Sequence, residues 1–331
     1  MKTHKAIALF SGGLDSILAV KWMQSKGYAV HPVFFKAPYL FPERAIHYAE
    51  KNDINLEVID VSEEHIKLLD NPVYGFGKWM NPCIDCHGFM FKKAAELMPE
   101  RDADYLISGE VLGQRPKSQR RDALDSVSKL SEVKDLIIRP LSQNLLADTM
   151  PIREGWIAKN DMLAVQGRGR AAQLALAKEL GIVDFPSPAG GCLLTDRNYC
   201  LRLRDLQKYH QDNLQSIELL AYGRHFRLTQ EAKLIIGRDE AENETLRHIF
   251  QQGIMLEAQD YTGPLGFITG KLNYETLDLA LSLFILYHPK VPTSATIDVW
   301  SISDNKIAGK MIKIATKRDR DLIKKYLISY S

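Results

Sequence analysis

A glycine-rich turn at residues 11–16, Ser-Gly-Gly-Leu-Asp-Ser, constrains this 331-residue chain more than any other segment. The apolar run 6–10 before it predicts a buried strand, and the apolar residues of 17–23 predict a helix after it. Such a turn favours anion binding, because close backbone N–H groups and the helix dipole both attract negative charge. Its carboxylate, Asp15, would repel a bare phosphate and indicates contact with a metal ion or a nucleophile. The alternative is an ordinary strand-to-helix turn.

The turn also resembles the SGGxDS signature of the PP-loop ATP pyrophosphatases. The resemblance implies cleavage of ATP between the α- and β-phosphates and adenylation of a carbonyl or amide oxygen, from which a nitrogen or sulfur nucleophile displaces AMP. It implies bound ATP and Mg²⁺, and it assigns the nucleotide to Ser11, Gly12, Gly13, Asp15 and Ser16. The Walker pattern GxxxxGK[ST] is a different phosphate loop and does not occur in the chain.

Composition excludes several classes of protein. A hydrophobic content of 45% and a charged content of 25% are typical of a globular protein, and the length favours two domains. The net charge of +2 gives no global signature of a polyanion-binding protein, so any nucleic-acid surface must come from local basic patches. No apolar run approaches the ~18 residues of a membrane span. We expect a soluble cytoplasmic protein.

The first part of the chain alternates strand and helix patterns, which predicts an α/β, doubly wound parallel sheet. The expected strands after the first are 30–35, 56–61, 105–110 and 136–141, and the expected helices are 42–52, 63–69 with Ser62 as its cap, and 88–98. Ligands bind such sheets at the carboxyl ends of the strands, where Asp15 and Glu110 would lie.

The rhythm changes after the segment 188–192, and we place a domain boundary near Asp196. Residues 1–196 are expected to form the PP-loop domain, and 197–331 a smaller α+β domain. The patterns of the second domain predict helices at 199–209, 240–251, 274–287 and 318–329, short strands at 217–220, 226–228, 233–237 and 254–258, and a late strand pair, 296–300 with 310–315.

Three cysteines form the first chemical constellation. Cys83 and Cys86 have CxxC spacing, and Cys192 follows two glycines more than a hundred residues later. Three thiolates with one open position suit a [4Fe–4S] cluster, whereas zinc would take a fourth ligand such as His87. A transferable persulfide, or three unrelated buried cysteines, are the other interpretations. Cys200 has no partner spacing and is expected to serve packing.

A basic loop forms the second constellation. Residues 108–121 contain Arg115, Lys117, Arg120 and Arg121 beside glutamine and serine donors. Because the loop follows a strand of the predicted sheet, we expect it to bind phosphate groups. The alternative is a solvated charged loop.

The turn 11–16, the CxxC segment, the segment 109–119 and the segment 188–192 occur in the order typical of PP-loop tRNA sulfurtransferases, which include 2-thiouridine and 4-thiouridine synthetases. This resemblance covers roughly residues 1–196. It implies that Cys83, Cys86 and Cys192 hold a [4Fe–4S] cluster and act in catalysis with Asp15, and it adds Gly109 and Gln114 to the nucleotide site. The remainder, including 237–243, is similar to the small RNA-binding domain of the NFACT proteins.

We therefore expect ATP-dependent tRNA thiolation, in which a uridine carbonyl oxygen is adenylated and replaced by sulfur. The expected partners are tRNA, a sulfur donor (sulfide or a persulfide carrier) and, in a homodimer, a second copy of the chain. We expect a compact relative with a C-terminal appendage rather than a 4-thiouridine synthetase of the usual long form. The alternatives are a PP-loop amidotransferase or ligase, a sulfonucleotide-handling enzyme, and an RNA-binding protein with structural zinc.

Overall fold

The computed structural model describes residues 3–187 and 191–329. The chain divides into two compact units, residues 1–192 and 193–331. Within the described residues, no helix is both long enough and apolar enough to cross a bilayer.

The first unit is built on a parallel sheet of five strands in the order β3-β2-β1-β4-β5. The strands are β1 (Lys5–Leu9), β2 (Ala29–Lys36), β3 (Glu57–Asp60), β4 (Tyr105–Ser108) and β5 (Ile137–Ile138). The helices are α1 (Leu14–Ser25), α2 (Glu43–Lys51), α3 (Ser62–His65), α4 (Cys83–Leu97), α5 (Arg121–Leu130), α6 (Met150–Arg153) and α7 (Ala171–Glu179). This confirms the predicted doubly wound α/β fold.

Hydrophobic cores lie on both faces of this sheet. Alternate side chains of β1 point to opposite faces, so Ala6 and Ala8 pack with α1 and α7, while Ile7 packs with α4 and α5. Burial on both faces explains why β1 is a continuous apolar run.

Two expectations about helices in this unit are wrong at their boundaries. Helix α4 begins at Cys83 rather than 88, so the CxxC lies in its first turn. Ser62 is not the helix cap, because it is itself the first residue of α3. Its N–H donates to Asp60 Oδ1. The helix expected over 63–69 is α3 followed by a 3-10 turn at Ile66–Leu69.

The second unit contains an antiparallel sheet of six strands in the order β11-β10-β8-β9-β7-β6. The strands are β6 (Arg224–Arg227), β7 (Ala232–Ile236), β8 (Gly253–Ala258), β9 (Gly266–Gly270), β10 (Ser294–Ser303) and β11 (Lys306–Thr316). The helices are α8 (Arg197–Lys208), α9 (Leu214–Leu219), α10 (Glu240–Ile249), α11 (Tyr274–Leu286) and α12 (Asp321–Tyr326). Helix α11 packs on one face of this sheet, and α9 and α10 pack on the other.

The late strand pair is confirmed as the antiparallel hairpin β10–β11, whose turn residues Asp304 and Asn305 both have positive φ. The strand expected at 217–220 is wrong. Asn213 accepts a hydrogen bond from Ser216 N and starts α9, which buries Ile217 and Leu219. A short apolar run in the sequence cannot distinguish a strand from a buried helical turn. Strand β9 was not predicted from the sequence.

Candidate functional site

The glycine-rich turn connects β1 to α1 as predicted, and its geometry requires one glycine. Gly12 has φ +70°, and a Cβ there would lie 2.7 Å from Ala45 Cα of α2. Ser16 Oγ donates to Gly13 O at 2.8 Å, and Ser11 N donates to Ser16 Oγ at 3.3 Å. The two serines therefore hold the turn at the N-terminus of α1, where a helix attracts anions.

Asp15 lies in the first turn of α1 and is partly satisfied by two glutamines. Its Oδ2 accepts from Gln114 Nε2 at 2.5 Å, and Gln114 Oε1 accepts from Gln173 Nε2 at 2.6 Å. Its Oδ1 is buried and has no hydrogen-bond partner among the described residues. Burial raises the pKa of Asp15, while the charge of Arg170 and the hydrogen bond from Gln114 oppose the rise. A buried, unpaired carboxylate oxygen fits a site that a cation would complete.

The end of strand β4 touches the beginning of α1 at Gly109. A Cβ at Gly109 would lie 2.4 Å from the carbonyl oxygen of Asp15. The next residue, Glu110, is buried and pairs with Arg139 Nε and His87 Nδ1, both at 2.8 Å. Burial raises the pKa of Glu110, but Arg139 and His87 outweigh it and hold the value at about 2. Glu110 is therefore an ionised connection between β4 and the helix that carries the CxxC.

The two cysteines of the CxxC occupy the first turn of α4, three residues apart and thus on one side of the helix. Asn81 Nδ2 donates to Cys83 Sγ at 3.1 Å. Burial raises the pKa of Cys86 well above its usual value, and the charges of Cys192 and Cys83 raise it further. Cys83 and Cys192 thus both lie close enough to Cys86 to affect its ionisation, and all three cysteines are half-buried.

A buried histidine contacts one of these sulfurs. His65 Nε2 lies 3.2 Å from Cys86 Sγ, and His65 Nδ1 lies 2.6 Å from the hydroxyl of Tyr39. Burial lowers the pKa of His65 to about 4, so the ring is neutral near neutral pH. Neither His65 nor Tyr39 stood out in the sequence, because neither belongs to a motif.

The donor types at the three cysteines fit a metal or cluster, and a hydrogen bond such as that from Asn81 is a common partner of ligating sulfur. However, within residues 3–187 and 191–329 no three His, Cys, Asp or Glu side chains are arranged to hold a metal ion. His87 already binds Glu110 through Nδ1. Residues 188–190 of the predicted segment 188–192 lie outside the described residues. The cluster therefore stays a prediction.

The predicted basic loop is mostly exposed. Arg115, Arg120 and Arg121 are exposed, and Lys117 is half-buried. Arg120 pairs with Asp122, and Arg121 donates to a backbone carbonyl. The charge of Arg115 acts on the pKa of Asp15, which places this arginine near the glycine-rich turn.

Besides His65 and Tyr39, sequence reasoning missed three further residues of the site. Arg139 follows β5 at the same sheet edge as Glu110, and its position after a predicted strand could have signalled it. Arg170 and Gln173 reach Asp15 from the start of α7, a region without a motif.

Comparison with known proteins matches two separate parts of the chain. Residues 2–144 match the family described as thiamine biosynthesis protein (ThiI), and residues 223–327 match the NFACT protein RNA binding domain. The tRNA-specific 2-thiouridylase MnmA of Petrotoga mobilis is 31% identical over 134 residues, which cover 34% of this chain and 36% of that protein. The probable tRNA sulfurtransferase of Thermococcus kodakarensis is 31% identical over 146 residues, which cover 41% and 36%. The chain thus spans 36% of the length of either relative.

Two solved structures are also similar. One is a 4-thiouridine synthetase–RNA complex with bound ATP, with a TM-score of 0.35 and 20% identity, covering 54% of this chain and 50% of that one. The other is a predicted subunit of tRNA methyltransferase from Methanocaldococcus jannaschii, with a TM-score of 0.32 and 19% identity, covering 54% and 88%. The two family matches thus fall on separate parts of the chain: residues 2–144, which contain the glycine-rich turn and the CxxC, are similar to the ThiI family, and residues 223–327 are similar to the NFACT RNA-binding domain.

Proposed function

We propose that this protein catalyses ATP-dependent thiolation of a uridine in tRNA. One arrangement carries the proposal: helix α4, which contains the CxxC, and the glycine-rich turn 11–16 meet at the end of β4. Gly109 packs on the backbone of Asp15, and the adjacent Glu110 binds His87, which follows Cys86 in α4. Nucleotide activation and sulfur delivery need such proximity, because the activated intermediate must meet sulfur before water.

The glycine-rich turn would bind the phosphates of ATP through its backbone N–H groups, with pyrophosphate at the N-terminus of α1. Asp15 would hold Mg²⁺ through the unpaired Oδ1, and the metal would neutralise phosphate charge. Gln114 donates to the other carboxylate oxygen and is itself held by a hydrogen bond from Gln173, so Asp15 is oriented before the metal arrives.

In the proposed reaction the uridine carbonyl oxygen attacks the α-phosphorus and pyrophosphate leaves. Sulfur then attacks the activated carbon, the carbon–oxygen bond breaks, and AMP departs with the former carbonyl oxygen. The uridine must leave its stack to reach this site. Thiouridine at position 2 or 4 of the base would be the product.

We assign sulfur delivery to Cys83, Cys86 and Cys192. As ligands of a [4Fe–4S] cluster, they would leave one iron open to bind sulfide. Asn81 supports this role as a donor to Cys83 Sγ. In the alternative route one of these cysteines carries a persulfide and another resolves it.

We assign tRNA binding to the second unit, supported by its NFACT match, and to the basic loop with Arg115, Lys117, Arg120 and Arg121. The exposed side chains of this loop near Asp15 would hold RNA phosphates beside the nucleotide.

The test is a reaction of anaerobically purified protein with ATP, sulfide and tRNA lacking thiolation. We expect tRNA-dependent release of AMP and a thiouridine detected by mass spectrometry of the digested RNA. Deletion of the gene should remove the same nucleoside from bulk tRNA. AMP release without a new thionucleoside, together with unchanged bulk tRNA, would contradict the proposal and favour an amidotransferase or ligase.

Metal analysis of the same preparation tests the thiol assignment separately. About four iron atoms and four sulfides per chain would support the cluster. Stoichiometric zinc without visible absorbance would instead support a structural site in an RNA-binding protein.

A further inference from the structure

Strand β11, at one edge of the sheet in the second unit, exposes an apolar face. Ile307, Ile312 and Ile314 are 61%, 58% and 73% exposed. Ile312 pairs with Asp298, Ile314 pairs with Thr296, and a bulge places Ile307 opposite Ile302. All three isoleucines therefore lie on one side of the sheet, and Lys310, opposite Trp300, lies among them. We call Ile307, Lys310, Ile312 and Ile314 the β11 face.

The β11 face lies in the most basic part of the chain. Residues 304–329 contain eight basic and three acidic side chains, a net charge of +5, whereas the whole chain carries +2. The rest of the chain is thus net negative, and the excess positive charge of the whole chain lies in residues 304–329. The other side of the strand carries Lys313, whose Nζ lies 5.9 Å from the ring centroid of Tyr274. That tyrosine is 78% exposed.

This composition favours a polyanion over a second copy of the chain. Lysines on an edge strand oppose pairing with another strand, and two copies joined at β11 would bring two highly positive segments together. Exposed isoleucines between lysines have no role in binding phosphate alone. They suit a ligand that presents charged phosphates and apolar base faces together, as single-stranded nucleic acid does.

The geometry points to β11 and its flanking lysines as a binding surface for a single-stranded segment of RNA. The lysines along this edge contact phosphates, and the isoleucines contact unstacked bases. Duplex RNA is excluded from the full contact because its bases are stacked inside the helix. This inference deepens the proposed function, on which it rests for the choice of RNA.

Binding is measured on the full chain without ATP, using a short labelled oligouridylate and a blunt RNA duplex with the same number of nucleotides. The double variant Ile312→Ser, Ile314→Ser should bind the single strand about tenfold more weakly and the duplex almost unchanged. The double variant Lys306→Gln, Lys313→Gln should lower the slope of log K against log salt by about 1.4, because each phosphate contact on a single strand contributes about 0.7.

Two controls match these changes. Val183→Ser alters a valine of the first unit that is 91% exposed, and Lys208→Gln removes an exposed lysine from α8. Neither should reproduce the loss. Because the substituted residues are exposed, apart from the half-buried Lys313 on the edge strand, unchanged thermal unfolding should accompany every variant.

Unchanged affinity of both double variants for the single strand would overturn the inference. Equal losses on the single strand and the duplex would also overturn it, since the surface would then bind phosphates alone. A wild-type dimer in sedimentation that the isoleucine variant dissociates would reassign the face to a contact between copies. Because ATP is absent, specific single-strand binding would stand even if the thiolation assay failed.

Discussion

Gly109 and Asp15 approach so closely that no side chain fits between them, since a Cβ at Gly109 would lie 2.4 Å from the carbonyl oxygen of Asp15. The contact fixes the end of β4 against the first turn of α1. It thereby sets the distance between the glycine-rich turn and Glu110, which binds His87 of helix α4. Gly109 therefore has a packing role that does not depend on contact with a nucleotide.

Gly109→Ala should therefore displace the start of α1 and weaken ATP binding. We expect a loss of about 1–3 kcal/mol in the free energy of unfolding, the usual cost of overpacking, and at least tenfold weaker ATP binding. Gly169→Ala is the matched control, because a Cβ there meets no atom within 4 Å. Calorimetric titration with ATP and urea unfolding measure the two effects. Wild-type affinity in Gly109→Ala would show that the contact does not position the turn.

Asp15→Asn tests the carboxylate while keeping its shape. The amide can still bond with Gln114 or Gln173 after a flip, but it no longer carries the charge that a cation at Oδ1 requires. We expect tRNA-dependent AMP formation to fall by about 10²–10³. Asp15→Ala should abolish it. AMP release at the wild-type rate from either variant would remove Asp15 from the nucleotide site.

The parts of this site that could be predicted are those set by local sequence. The turn 11–16 lies between an apolar strand and a helix, and Gln114 lies six residues after β4 in a recognisable segment. The contacts of Asp15 with Gln173 and Arg170 could not be predicted, because they join α1 to a helix more than 150 residues away. Likewise, the apolar residues of α9 resembled a strand in the sequence. Their burial depends on packing against a neighbouring helix, which the local sequence does not show.

The cysteines separate by function. Cys83→Ala, Cys86→Ala and Cys192→Ala should each lose thiolation, whereas Cys200→Ala should keep it. Cys200 is fully buried and its Sγ donates to Leu194 O at 3.2 Å, so it serves packing. If the three are cluster ligands, each variant also loses visible iron–sulfur absorbance. An inactive Cys192→Ala protein with intact absorbance would contradict the ligand assignment and favour the persulfide route.

Lys233 predicts a pH dependence of stability in the second unit. Its side chain is buried in β7, its Nζ makes no hydrogen bond within the described residues, and Asp205 Oδ2 lies 3.9 Å away. Burial lowers the pKa of Lys233 from 10.5 to about 7. Asp205, which also pairs with Arg227, opposes the shift, while the charges of Arg227 and Arg202 add to it. The nearby His225 is also buried, and its pKa lies well below the usual value.

Between pH 7 and 10 the unfolded chain therefore holds a proton that the folded unit has lost, so the free energy of unfolding rises with pH over this window. The cost of burying the ammonium is greatest below pH 7. Lys233→Met removes that cost, and it should be more stable than the wild type at pH 6 by about 2–5 kcal/mol. The difference should shrink towards pH 10. Urea unfolding of both proteins at several pH values measures it, with Lys208→Met as an exposed control whose effect should not vary with pH. A Lys233→Met protein that is less stable than the wild type by the same amount at every pH would show that Asp205 keeps this lysine charged.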